Sequence, residues 1–171
     1  MNSTVKQILH TFDEYIFGFM RADIDAAIRG KANYLAALGV VSYTEILGGL
    51  RTGKLGLKNY SSSNFNAFLP YLGKEYRDFA PKDINLFDLV RCGLVHNYFV
   101  KGRDSSIWMS ASSSCGIIAS AGGPTIVIVD VYRDHLFTGA TQFRDEILEG
   151  SDSSLVPNFE TAMRNIDRPL K

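Results

Sequence analysis

LFDLVRCGLVHNYFVKG, residues 86–102, is the stretch on which the reading of the fold turns. It has the length of a helix and is apolar on almost every side, which normally places a helix at the centre of a core or of a subunit interface. Set into it are a permanent cation, Arg91, and an imidazole, His96. On a helical reading Ile84, Phe87, Arg91, Leu94 and Tyr98 share one stripe, while Leu89, Cys92, His96 and Phe99 share another. Burying a guanidinium in such a rod is costly unless it finds partners. Arg91 and His96 are five residues apart, so on a regular helix their directions differ by about 140° and their heights by about 7.5 Å. A bend, eased by Gly93, or two such helices meeting across a dimer axis would bring them together.

Upstream, the pattern is helical. Val5, Ile8, Leu9, Phe12, Tyr15, Ile16, Phe19 and Met20 recur at three- and four-residue steps, with Thr4 and Gln7 spaced as a capping box. A second helical pattern covers residues 24–50, broken near Gly30, and its small residues Ala36, Ala37, Gly39 and Ser42 suit close helix contact. RTGKLGLKNYSSSN, from Arg51, reads as a loop. Asn64 is placed to cap a third helix carrying Phe65, Phe68, Leu69, Leu72, Tyr76 and Phe79, with a kink or a later start at Pro70. Pro81 and Asp83 introduce the motif helix.

Downstream, the character changes. SIWMSA, CGIIAS and TIVIVDV are short, rich in β-branched residues and separated by SSS and AGGP, the pattern of a small antiparallel hairpin or meander over about residues 106–131. Helical spacing returns with Tyr132, Leu136, Ala140, Phe143 and Ile147, and a short helix is expected around residues 158–165. The sum is a single domain over residues 1–171: a mainly α helical bundle with a small β insertion after the motif helix.

Bulk composition sets limits on function. A chain of 171 residues buries roughly 70% of its unfolded surface and needs no disulfide or metal staple. Lys plus Arg and Asp plus Glu are 18 each, so there is no global basic footprint of the kind nucleic-acid binders often carry, though a local site stays open. Cys92 and Cys115 form no CxxC pair, and three scattered histidines offer no zinc spacing, so no metal or other cofactor is expected. The first residues are polar and charged, unlike a secretion signal, and no apolar run approaches the ~20 residues of a membrane span. The reading is a soluble, cytoplasmic protein without a membrane partner. Arg51 to Lys58 lacks the phosphate-loop arrangement, and the SASSSCG run lacks a nucleophile elbow.

Arg91-Cys-Gly-Leu-Val-His96, late in a helical domain, resembles the defining motif of the HEPN superfamily, arginine followed four to six residues later by histidine. RCGLVHNYF is similar to the RxGLVH variant of bacterial members. The resemblance implies a HEPN-like bundle and a homodimer joined through the motif helix. It also implies a metal-independent endoribonuclease acting at the cleft between protomers, in a toxin or a stress or defence element whose partners would include RNA and an antitoxin protein. The residue types suit that chemistry. Histidine alone has an unperturbed pKa suited to taking the 2′-hydroxyl proton near neutral pH, and a guanidinium clamps the charge that builds on phosphorus. The resemblance thus assigns His96 as general base or acid and Arg91 as phosphate clamp. Asn97, Lys101 and Arg103 are candidates to contact RNA. Many active members carry a polar residue where this chain has Cys92.

Two other readings use the same residues. In one, the helix serves a non-catalytic member as a dimerisation, RNA-binding or nucleotide-binding surface. In the other, the protein is a purely structural helical one: Asp88, three residues before Arg91, pairs with it along one helix face, and His96 is hydrogen-bonded at the helix end.

Overall fold

The computed structural model describes residues 3–79, 84–101, 104–120 and 123–167. The chain is mainly α-helical, with a small three-stranded sheet inserted after the motif helix. The N-terminal stripe forms one continuous rod: α1 (Ser3–His10), a π-wound stretch π1 (Thr11–Met20) and α2 (Arg21–Arg29). A sharp connection at Gly30–Ala32, with Lys31 left-handed at φ 56°, leads into α3 (Asn33–Thr52), which runs through the bundle. The chain then turns into α4 (Ser61–Leu72) and the single turn α5 (Lys74–Arg77). The motif segment is split into π2 (Phe87–Cys92) and α6 (Gly93–Asn97). After β1 (Ser106–Trp108), β2 (Ile117–Ala119) and β3 (Thr125–Ile128), the long α7 (Val129–Glu149) and α8 (Leu155–Ile166) close the bundle. No helix among the described residues is long and apolar enough to cross a membrane.

The core forms where the apolar stripes meet. Phe12 and Ile16 of π1, Ala37, Val40 and Leu47 of α3, Phe65 and Phe68 of α4, Tyr132 and Phe143 of α7 and Phe159 of α8 are sealed from solvent. Each of the Phe, Ile, Leu and Val side chains among them contributes about 1.5–3 kcal/mol by leaving water. The small residues of α3 let its neighbours approach closely. At Gly48, a Cβ would lie 1.7 Å from the backbone oxygen of Asn64, so α3 and α4 touch through a position that admits no side chain.

Several expectations are corrected. Asn64 does not cap α4, which starts three residues earlier. It is buried instead, accepting from the Thr52 hydroxyl (2.8 Å) and donating to the Lys54 carbonyl (3.3 Å), so it stitches the α3–α4 turn. The third helical pattern is not one helix: α4 runs through Pro70 to Leu72 and ends at Gly73, so Tyr76 lies on α5 and Phe79 beyond it. Pro81 and Asp83 lie outside the described residues; a cap for the motif segment is supplied by Asn85, whose side-chain oxygen accepts from the Asp88 N–H at 3.2 Å. The insertion is a mixed sheet rather than a meander. β2 and β3 pair antiparallel, as a hairpin should, but β1 pairs parallel to β3 on its other side, giving the order β1-β3-β2. His135 is half-buried on α7 with Nδ1 2.9 Å from the Tyr76 hydroxyl.

Candidate functional site

The motif segment is not a regular helix. From Phe87 to Cys92 the backbone is π-wound, and Arg91 and Cys92 complete the wide turn. Such turns are rare and occur frequently at functional sites. Wider winding frees backbone groups, and the returning chain meets one of them: the Lys101 N–H donates to the Leu89 carbonyl at 2.8 Å. That return requires Gly93, where a Cβ would sit 2.6 Å from the Phe99 backbone oxygen and 2.9 Å from the Lys101 nitrogen. The glycine of RCGLVH therefore serves close backbone approach, not a bend.

Arg91 leans toward α3. Its Nε donates to Glu45 Oε2 at 2.7 Å, and its guanidinium lies 5.5 Å from the centre of the Phe87 ring. The two charged side chains keep 21% and 16% of their surface, so the pair is shielded without being sealed. The proposed Asp88–Arg91 pair is not formed. Asp88 binds the Lys101 ammonium at 2.7 Å instead, because π winding moves residues three apart off a common face. Glu45 went unread in the sequence, although it is the only acidic residue between Asp25 and Glu75 and stands in an apolar helix. That isolation was the available signal.

His96 occupies the last turn of α6. It is exposed and makes no hydrogen bond among the described residues, so the expected bond at the helix end is not formed either. Its neighbours are also open to solvent: Val95 at 40%, Tyr98 at 60% and Phe99 at 69% exposure. Asn97 is exposed and likewise makes no hydrogen bond among the described residues, whereas Lys101 is engaged by Asp88. Arg103 lies outside the described residues. The structure thus sets Arg91 inward on the π turn and His96 outward one turn later, with no hydrogen bond between them.

Tyr34, at the start of α3, was not singled out in the sequence. Its hydroxyl donates to the Leu94 carbonyl at 2.7 Å, satisfying one of the acceptors that α6 leaves open, and its ring stacks on Tyr98. Behind the site, Thr44 of α3 donates to the Val40 carbonyl (2.8 Å), so the buried Tyr132 hydroxyl is the donor in its 3.0 Å bond to Thr44. Burial pushes the Tyr132 phenol well above its ordinary pKa, and does the same to Tyr76, which accepts from the Gly116 N–H at 2.8 Å. Both phenols stay neutral at ordinary pH.

Among the described residues, no three His, Cys, Asp or Glu side chains are grouped to hold a metal ion. The sequence matches no family model, and neither a curated protein nor a solved structure shows significant similarity to it.

Proposed function

We propose that the chain is a HEPN-type, metal-independent endoribonuclease of the cytoplasm, acting as a homodimer through the face of the motif helix around Val95 and His96. The observation that carries this reading is the contrast between the two motif residues. His96 is exposed and makes no hydrogen bond among the described residues, and Val95, Tyr98 and Phe99 near it in the chain are also open, while Arg91 is largely shielded yet still reached by solvent. A histidine retained only for packing would be covered or hydrogen-bonded.

In this reading His96 takes the proton from an RNA 2′-hydroxyl, whose oxygen bonds to the adjacent phosphorus. The bond from phosphorus to the 5′-oxygen breaks, and the leaving oxygen receives a proton from the imidazolium of the second copy. Arg91 stabilises the charge on the five-coordinate phosphorus through paired N–H donors, for which Glu45 must share or release it.

The test is cleavage of RNA by purified protein in EDTA, leaving 2′,3′-cyclic phosphate ends. Arg91→Ala and His96→Ala should each abolish cleavage with the fold intact; cleavage that persists in both sinks the proposal. One observation favours a second reading, a non-catalytic RNA-binding or dimerisation module: the guanidinium already has a carboxylate partner within its own subunit. That reading expects a stable dimer, RNA binding and no cleavage.

A further inference from the structure

Where α6 ends, the chain does something a helix end ordinarily leaves to glycine. Tyr98 takes the left-handed conformation at φ 66°, a position where a bulky residue is a genuine outlier. Strain of this kind persists only where the surroundings hold it, and it clusters at ligand sites. What holds it is Tyr34. The two rings are stacked with centroids 3.9 Å apart and 25° between their planes, and the Tyr34 hydroxyl is tied to the Leu94 carbonyl. Phe99 stands edge-on to Tyr98 at 5.7 Å and 89°. Both Tyr98 and Phe99 stay largely open to water.

These rings form the wall of a groove of about 710 Å³ between the start of α3, the end of the motif helix and the edge strand β1. Tyr34, Tyr98 and Phe99 make it apolar on one side, and Lys31, Asn33 and Ser106 line it with polar groups. The Lys31 side chain is exposed and has no partner among the described residues. An aromatic wall beside a free cation is the arrangement by which single-stranded nucleic acids are held, the bases stacking on rings and the backbone meeting positive charge.

We infer that this groove is a nucleobase-stacking subsite for single-stranded RNA, with Tyr98 and Phe99 as the platform and Lys31 meeting the backbone. The inference rests on the reading of the chain as RNA-acting, and it adds where the strand lies relative to His96: one unpaired base beside the motif is held by its face, without regard to its identity.

Binding separates this inference from cleavage. Fluorescence anisotropy of a labelled single-stranded oligoribonucleotide is measured on His96→Ala protein, so that no strand is cut, and on the same protein with Tyr98→Ala, Tyr98→Phe or Phe99→Ala added. Stacking predicts that each alanine change weakens affinity by about tenfold, that Tyr98→Phe retains it, and that an abasic strand binds His96→Ala protein as weakly as the normal strand binds the alanine variants. Alanine variants that bind as tightly as the His96→Ala parent overturn the inference, as does a loss in Tyr98→Phe. So does conversion to monomer in Tyr98→Ala by sedimentation, which would assign the rings to subunit contact. A wild-type protein that binds in this pattern but never cleaves leaves the subsite standing and removes only the nuclease reading.

Discussion

Arg91 Nε and Glu45 Oε2 lie 2.7 Å apart, joining the π turn of the motif to the middle of α3. The pair is shielded on both sides, so removing one partner leaves the other short of solvent as well as of its counter-charge. Glu45→Ala should destabilise the protein by about 2 kcal/mol, within the range for hydrogen bonds to charged groups. Urea unfolding measures this, and a double-mutant cycle with Arg91→Ala should show strong coupling. The same change liberates the guanidinium, so if the proposed RNA-acting function holds, RNA affinity should rise several-fold at low salt. Unchanged stability would mean that the ion pair is incidental.

Tyr98 gives an unusual comparison of two small residues. Tyr98→Ala loses the stack on Tyr34 and keeps the left-handed strain, whereas Tyr98→Gly loses the stack and relieves the strain. The glycine variant should therefore be the more stable of the two by about 1 kcal/mol, although glycine is normally the destabilising choice. Thermal or urea unfolding decides it. Alanine matching glycine would show that the turn is not held left-handed in solution.

The buried phenols of Tyr76 and Tyr132 predict how stability responds to alkali. Burial raises both above the ordinary value of 10.0. Above pH 10 the unfolded chain releases protons that the folded chain retains, so the stabilisation is complete below about pH 10 and is lost as pH rises further. Each group contributes a slope of up to about 1.4 kcal/mol per pH unit. Tyr132→Phe should shallow that slope by one such increment, checked by urea midpoints between pH 9 and pH 11. An unchanged slope in the variant would mean that this phenol titrates normally.

Gly48 tests the packing of α3 on α4. A methyl group there collides with the Asn64 backbone oxygen, 1.7 Å from where a Cβ would lie, and backbone cannot swing aside as a flexible side chain can. Gly48→Ala should cost at least about 3 kcal/mol, the upper end for overpacking. At Gly150, where a Cβ meets nothing within 4 Å, alanine should cost less, with only the left-handed φ of 68° opposing it. The ranking of the two melting temperatures checks this.

How much was legible depended on whether a feature repeats along the chain. The apolar stripes of residues 5–20 and 132–147, the break at Gly30 and the positions of three short strands follow from periodicity and turn residues, and the structure has them. The π turns were not legible, because the apolar spacing of residues 86–97 fits an ordinary helix equally well and the wide winding shows itself only in backbone bonds. The partner of Arg91 was missed for a related reason. Asp88 was near in sequence, while Glu45 lies 46 residues away and becomes adjacent only when α3 packs on the motif. The parallel pairing of β1 with β3 was likewise invisible, since side-chain alternation does not encode strand direction.

The junction between Ile128 and Val129 passes from strand to helix with no residue in between. The small sheet is thus welded to the end of α7, and one turn along that helix Tyr132 grips Thr44, whose covalent neighbour is Glu45. The insertion is therefore braced rather than appended: β1 also packs on α3 and β3 on π2, the two elements that carry Glu45 and Arg91.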